Sequence, residues 1–148
     1  SLLAEPTKFD SAEATRDAAM LELMYSTGMR VTELVSLNMD SLHLDPAPSW
    51  VRCLGKGSKE RTLPVPQRAI EAIEAYLDRA RPALLKSRPQ TALFVNRRGE
   101  RLTRQGFWLI LKGYAKSADI TGHVINLIQY FHLVGVKQNI NFSILFKL

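Results

Sequence analysis

Two pairs of prolines bracket a short hairpin in the middle of this chain, and they limit the folds open to it. Pro46 and Pro48 break any helix before Trp50, because proline lacks the N–H that a helix interior needs. Trp50 to Leu54 then reads as a strand, Gly55-Lys56-Gly57-Ser58 as a turn, and Arg61 to Val65 as the returning strand. Pro64 puts the second strand at a sheet edge, where a missing donor costs no ladder bond. Pro66-Gln67 opens a long helical pattern directly afterwards.

Helical spacing accounts for most of the rest. Ser11 is a candidate N-cap, and Glu13 and Asp17 lie in the first turns, where the helix dipole favours acids. Ala14, Ala18, Leu21 and Met24/Tyr25 recur every three to four residues, which predicts a helix ending at Thr27-Gly28. A shorter helix follows over Val31 to Leu37. The helix after Pro66 is expected to run to about Ala80, with Ala69, Ile70, Ala72, Ile73, Tyr76 and Leu77 on its apolar face. Ala92 to Val95 reads as a short strand and Asn96 to Gly99 as a turn. Thr103 caps a further helix with Phe107, Ile110, Leu111 and Tyr114 on one face. The expected fold class is α+β, mainly α, with a small antiparallel sheet.

The chain has 148 residues, enough for one domain with its own core. Its single cysteine, Cys53, has no partner within the chain and fits a reducing compartment. No apolar run reaches the roughly 18 residues of a membrane span, and Ser1 to Asp10 lacks a signal-peptide pattern. The expected location is the cytoplasm, with no membrane partner. Charge is unevenly placed: residues 1–48 carry a net −5 and residues 49–116 a net +10. Segregated basic charge fits a polyanionic partner, because neutralised phosphates release their condensed counterions. A solvated basic face that binds nothing gives the same count.

Three motifs stand in order along the chain: Ser26-Thr-Gly-Met-Arg-Val-Thr-Glu-Leu34, Gly55-Lys-Gly-Ser-Lys-Glu-Arg61 and Leu102-Thr-Arg-Gln-Gly-Phe-Trp108. At these distances they resemble the catalytic domain of tyrosine recombinases, the phage-integrase family, most closely its bacterial Xer type. The resemblance covers roughly Arg16 to Val124. It implies a mainly helical catalytic-domain fold and an enzyme that breaks and rejoins double-stranded DNA without metal, ATP or other cofactor. In that chemistry a tyrosine attacks the scissile phosphate, giving a 3′-phosphotyrosine, and a 5′-hydroxyl reverses the step.

The resemblance assigns Arg30 to the first of two arginines that grip the phosphate, a task suited to a planar, permanently charged guanidinium. Glu33, one helical turn on, can brace it. Lys56 matches the hairpin lysine that protonates the leaving oxygen, with flanking glycines for close approach. Lys59 and Arg61 are expected on backbone phosphates. Thr103 and Arg104, at a helix start, are expected to contact the DNA backbone as well. Apart from the resemblance, Gly-Lys-Gly is an ordinary basic turn and Thr103 an ordinary cap.

His123 sits where the family's His-x-x-Arg motif begins, but Asn126 holds the position of the second arginine. Tyr130 lies seven residues past His123, far short of the family's spacing, and Tyr25, Tyr76 and Tyr114 fall on core faces of predicted helices. From His123 onward there is no Arg, Asp, Glu or Ala, and Ile, Asn and Phe fill ten of 26 positions against nine of the preceding 122. The expected division is therefore a truncated recombinase catalytic domain over 1–122, lacking the family's N-terminal DNA clamp, and a divergent apolar tail over 123–148 packed on the same domain. The tail is expected to form a short helix and then a strand near 140–144, and to pair with other recombinase subunits or with a second copy. His123 and His132 do not have zinc-ligand spacing, so no metal site is expected.

Overall fold

The structure, a computed structural model, describes residues 1–120 and Gly122. Helix α1 spans Ala12–Thr27. It starts where Ser11, in extended backbone, accepts the Ala14 N–H on its hydroxyl at 3.0 Å and so satisfies one free donor of the first turn. It ends at Gly28, whose left-handed φ of 68° lets its N–H return to the Met24 carbonyl at 2.9 Å. Unlike a surface helix with one apolar stripe, α1 buries Ala19, Met20, Leu21, Leu23 and Met24 together with Arg16, Asp17 and Glu22. It is the centre of the core.

Helix α2 (Val31–Ser36) follows after Met29 and the extended Arg30, ending one residue before the expected boundary. Strands β1 (Leu42–His43), β2 (Trp50–Leu54) and β3 (Glu60–Pro64) make an antiparallel sheet in that spatial order, with Val51 opposite Leu42 and Leu63, and Cys53 opposite Arg61. The hairpin expectation holds, with β3 starting and ending one residue earlier and β1 added on the other side. β3 is an edge strand, as Pro64 requires.

Helix α3 (Gln67–Ala75) does not stop at Ala80. A wider π turn over Tyr76–Ala80 carries it into α4 (Arg81–Leu85), the Arg81 N–H reaching back five residues to the Tyr76 carbonyl. Proline cannot donate within a helix, but Pro82 falls in the first turn of α4, where that donor is not needed. Helix α5 (Arg104–Ser117) starts at Thr103, whose hydroxyl accepts the Gly106 N–H at 3.0 Å, and buries Phe107, Leu111 and Ala115. The molecule is thus mainly helical with one small three-stranded sheet, the expected class. Among the described residues no helix is long and apolar enough to cross a membrane.

One expectation needs correction. Ala92 to Val95 is fully buried but is not a sheet strand: it bends at Leu93 and Phe94 and makes only isolated bridges, Asn38 with Ala92 and Val95 with Arg101. Its polar groups are satisfied largely by side chains instead of a ladder. Arg81 donates to the carbonyls of Ala92 and Leu93 (Nε, 3.2 Å each) and Arg16 to that of Val95 (Nη1, 3.0 Å). The Tyr76 hydroxyl donates to Leu93 O at 2.8 Å and accepts the Val95 N–H at 3.2 Å. A run of apolar residues signals burial, and here burial was obtained without a partner strand.

Tyr76→Phe removes one buried hydroxyl that serves both a carbonyl and an N–H. It is expected to lower the unfolding free energy by about 1–3 kcal/mol, the cost of buried polar groups left unpaired. Urea denaturation with an unchanged slope checks this; a loss near zero would mean the Tyr76 bonds are replaced without cost.

Candidate active site

The site is organised around α2. Gly28 turns the chain out of α1, Met29 is fully buried as an anchor, and Arg30 takes the N-cap position of α2. Its side chain is one-third exposed and makes no cap, and its Nη1 stands 3.9 Å from Glu33 Oε1. Glu33 is buried on the first turn of α2. The expected brace between Arg30 and Glu33 is therefore a loose one. The closer partner of Glu33 comes from the hairpin, where Arg61 Nη2 donates to Oε2 at 2.7 Å. A buried carboxylate is costly unless paired, and this one is faced by two guanidinium groups from separate parts of the chain.

The hairpin projects from that pair. The Gly55 N–H closes the turn on the Lys59 carbonyl at 2.7 Å, and Gly57 sits at φ 75°, a conformation that favours glycine. Lys56 occupies the first position of the tip, and Lys59 at its base is exposed. At the other end of α2, Arg101 Nη1 donates to the carbonyls of Val35 (2.9 Å) and Leu37 (3.0 Å), and its Nη2 to Asn38 Oδ1. Carbonyls at a helix C-terminus lack intrahelical donors, and Arg101 supplies them while fixing the approach to α5. Thr103 and Arg104, both exposed, follow at the α5 N-terminus, where unpaired N–H groups and the dipole favour an anion. A six-residue helix is about 9 Å long, so all three motifs are fastened to one short element.

Tyr25 departs from its expected place: it is 41% exposed and not on a core face. Tyr76 and Tyr114 are held inside. Tyr114 donates to Asp17 Oδ2 at 2.7 Å, and burial together with that carboxylate pushes its hydroxyl up; burial pushes Tyr76 up to about 12. Desolvation also raises the Asp17 carboxyl, against the pull of Arg16. His123, Asn126, Tyr130 and the expected tail elements lie outside the described residues. Among the described residues, no group of three or more His, Cys, Asp or Glu is placed to hold a metal. The Arg61–Glu33 and Arg101–α2 bonds are contacts around the candidate site that sequence reasoning missed. They join residues 28 and more than 60 positions apart, and no local pattern announces them.

The family model described as "Phage integrase family" matches residues 1–132, extending at both ends beyond the Arg16–Val124 span of the motif resemblance. Tyrosine recombinase XerC of Herpetosiphon aurantiacus is 50% identical over 127 residues, covering 84% of this chain and 41% of that protein. XerC of a Roseiflexus species is 49% identical over 144 residues, covering 94% of this chain and 45% of its own length. The chain spans less than half the length of these curated relatives. Among solved structures, the XerH site-specific recombinase bound to palindromic difH substrate superposes with a TM-score of 0.67 at 21% identity, covering 80% of this chain and 33% of that one. XerA recombinase gives 0.65 at 22% identity, covering 96% and 50%. These likenesses match the mainly helical fold with its small sheet.

Burial, then the neighbouring Glu33, pushes the Cys53 thiol up to about 11. Only the thiolate alkylates, so at pH 8 native Cys53 is expected to react with iodoacetamide at least about 100-fold more slowly than in the chain unfolded in guanidinium. Raising the pH toward 11 should speed the native reaction. Equal rates for native and unfolded chain at pH 8 would contradict the burial of Cys53 against Glu33.

Proposed function

The chain belongs to the phage integrase family, and from that membership we propose that it is part of a tyrosine recombinase catalytic domain that grips double-stranded DNA at a scissile phosphate but is disabled for the cleavage step. The observation that carries this reading is the shared carboxylate. Arg30, the candidate clamp, and Arg61, on the hairpin with Lys56, meet at Glu33. Arg101 ties the start of α5 to the same short helix. The solved XerH relative carries its difH substrate, which supports a DNA duplex as the partner here.

In this reading Arg30 donates paired N–H groups to the non-bridging phosphoryl oxygens, whose charge grows as the attacking oxygen adds. Lys56 is the residue matched to the proton donor for the leaving 5′-oxygen, and His123 to its partner in proton transfer; in this chain neither completes a cleavage. Lys59, Thr103 and Arg104 hold backbone phosphates. Asn126 stands where the second clamp arginine belongs; an amide donates hydrogen bonds but brings no positive charge to the phosphorane. Loss of one such donor typically costs about 100- to 1000-fold in rate. The apolar tail over 123–148 is assigned to contacts with other recombinase subunits or a second copy.

Two measurements test the proposal. Duplex binding by fluorescence anisotropy should weaken steeply with salt, with a log–log slope near −0.9 per phosphate neutralised. A binding curve indifferent to salt would overturn the DNA reading. A nicked suicide substrate should give no covalent protein–DNA species. An adduct lost on Tyr130→Phe would overturn the disabled state and restore an active enzyme.

A further inference from the structure

We propose that Arg61 is a positioning residue: its bond to Glu33 straps the hairpin, and with it Lys56, to the helix that starts at Arg30, and it makes no phosphate contact of its own. The inference rests on the recombinase reading and changes the role of one residue within it.

The argument starts from how little else holds β3. Of its five residues, Glu60, Arg61, Thr62 and Pro64 are exposed and only Leu63 is half-buried. Among the described residues β3 pairs with β2 alone. β1 pairs only with Trp50 and Val51, so from Arg52 to the tip β2 and β3 form a two-stranded ribbon. Such a ribbon with an almost wholly exposed edge is marginal by itself, and the angle at which this one leaves the body depends on its side-chain ties. Arg61 supplies the polar tie, crossing from the edge strand to a carboxylate on α2 at 2.7 Å. Glu33 in turn depends on it. Its Oε1 is buried with no hydrogen-bond partner, and Arg30 stands at 3.9 Å, beyond hydrogen-bond reach. Were Arg61 to swing out to a phosphate, Glu33 would be left as a buried charge without its closest donor. Arg61 is thus committed inward, while Lys59, two residues earlier, is exposed and suited to the backbone.

The strap lies beside the chain's single cysteine, which provides a reporter. Cys53 is opposite Arg61 in the ladder, its Sγ 3.8 Å from the Arg61 carbonyl, and it is buried. The Arg61 charge lowers the Cys53 pKa and the Glu33 charge raises it. Removing Arg61 from an otherwise unchanged hairpin would therefore make the thiol less reactive. Releasing the hairpin would make it more reactive. The two effects have opposite signs.

The experiment compares the full chain with Arg61→Ala, and with Arg61→Gln should alanine lower the folded fraction, well below the melting temperature. Iodoacetamide labelling of Cys53 in the free protein should speed up severalfold in the variant; unchanged or slower labelling overturns the strap, whether or not DNA binds. Binding to a DNA duplex should weaken. In a Lys56→Ala/Lys59→Ala background, which removes both hairpin lysines, Arg61→Ala should change neither the affinity nor the salt slope; a further loss with a slope shallower by about 0.9 marks a phosphate contact made by Arg61 itself and overturns the proposal. Failure of the unaltered chain to bind duplex overturns the recombinase reading and leaves the labelling result to decide the strap.

Discussion

A carboxylate taken out of water must be paired, and the pairing of Glu33 sets the geometry of everything around it. The charge lies on the first turn of a six-residue helix, and the nearest guanidinium available to it belongs to a strand 28 residues further on. That bond joins the hairpin to α2, and Arg30 stands 3.9 Å from the same carboxylate. The other end of α2 is handled by the same chemistry in reverse. Its unpaired carbonyls recruit Arg101, and α5 begins three residues later. The proposed phosphate-gripping site needs charges from distant parts of the chain held in a fixed relation, and the two arginine bonds to one short helix are what this reading rests on.

The same economy explains how the basic charge of the chain is distributed. A net +10 over residues 49–116 suggests a broad polyanion-binding face. Several of those charges point inward. Arg81 serves the buried carbonyls of residues 90, 92 and 93, Arg101 caps α2, and Arg61 pairs with Glu33. Arg16 does similar work from α1. Guanidinium groups suit this use because one side chain offers up to five donors in a rigid plane. The exposed charge left for a nucleic acid is smaller than the count, and includes Lys59 and Arg104.

What the sequence made legible was local. Ser11 and Thr103 cap their helices as read, Trp50–Leu54 is a strand to the residue, and Pro64 marks an edge. Each of these is decided within about four residues, by a cap, an alternation or a missing donor. The misses came from contacts between remote segments. Residues 92–95 have the composition of a strand, yet buried side chains take the place of the ladder. The apolar spacing after Pro66 predicts a helix to about Ala80, yet the π turn over Tyr76–Ala80 carries it on to Leu85. Tyr25 fits a helical stripe by spacing, yet α1 is packed on so many sides that spacing alone does not say which residue meets solvent. The site residues were found through motif resemblance, while the bonds that hold them, Arg61 to Glu33 and Arg101 to α2, had no counterpart in local pattern.

The central claim is that Glu33 and Arg61 act as one unit, and a double-mutant cycle on unfolding free energy tests it most directly. The chain, Glu33→Gln, Arg61→Ala and the double variant are each unfolded in urea. A charge-assisted bond to a buried carboxylate should give a coupling energy of about 1.5–3 kcal/mol, with the double variant more stable than the sum of single losses predicts. Additivity within about 0.5 kcal/mol would mean that the pair is an ordinary surface contact and that something else holds the hairpin to α2.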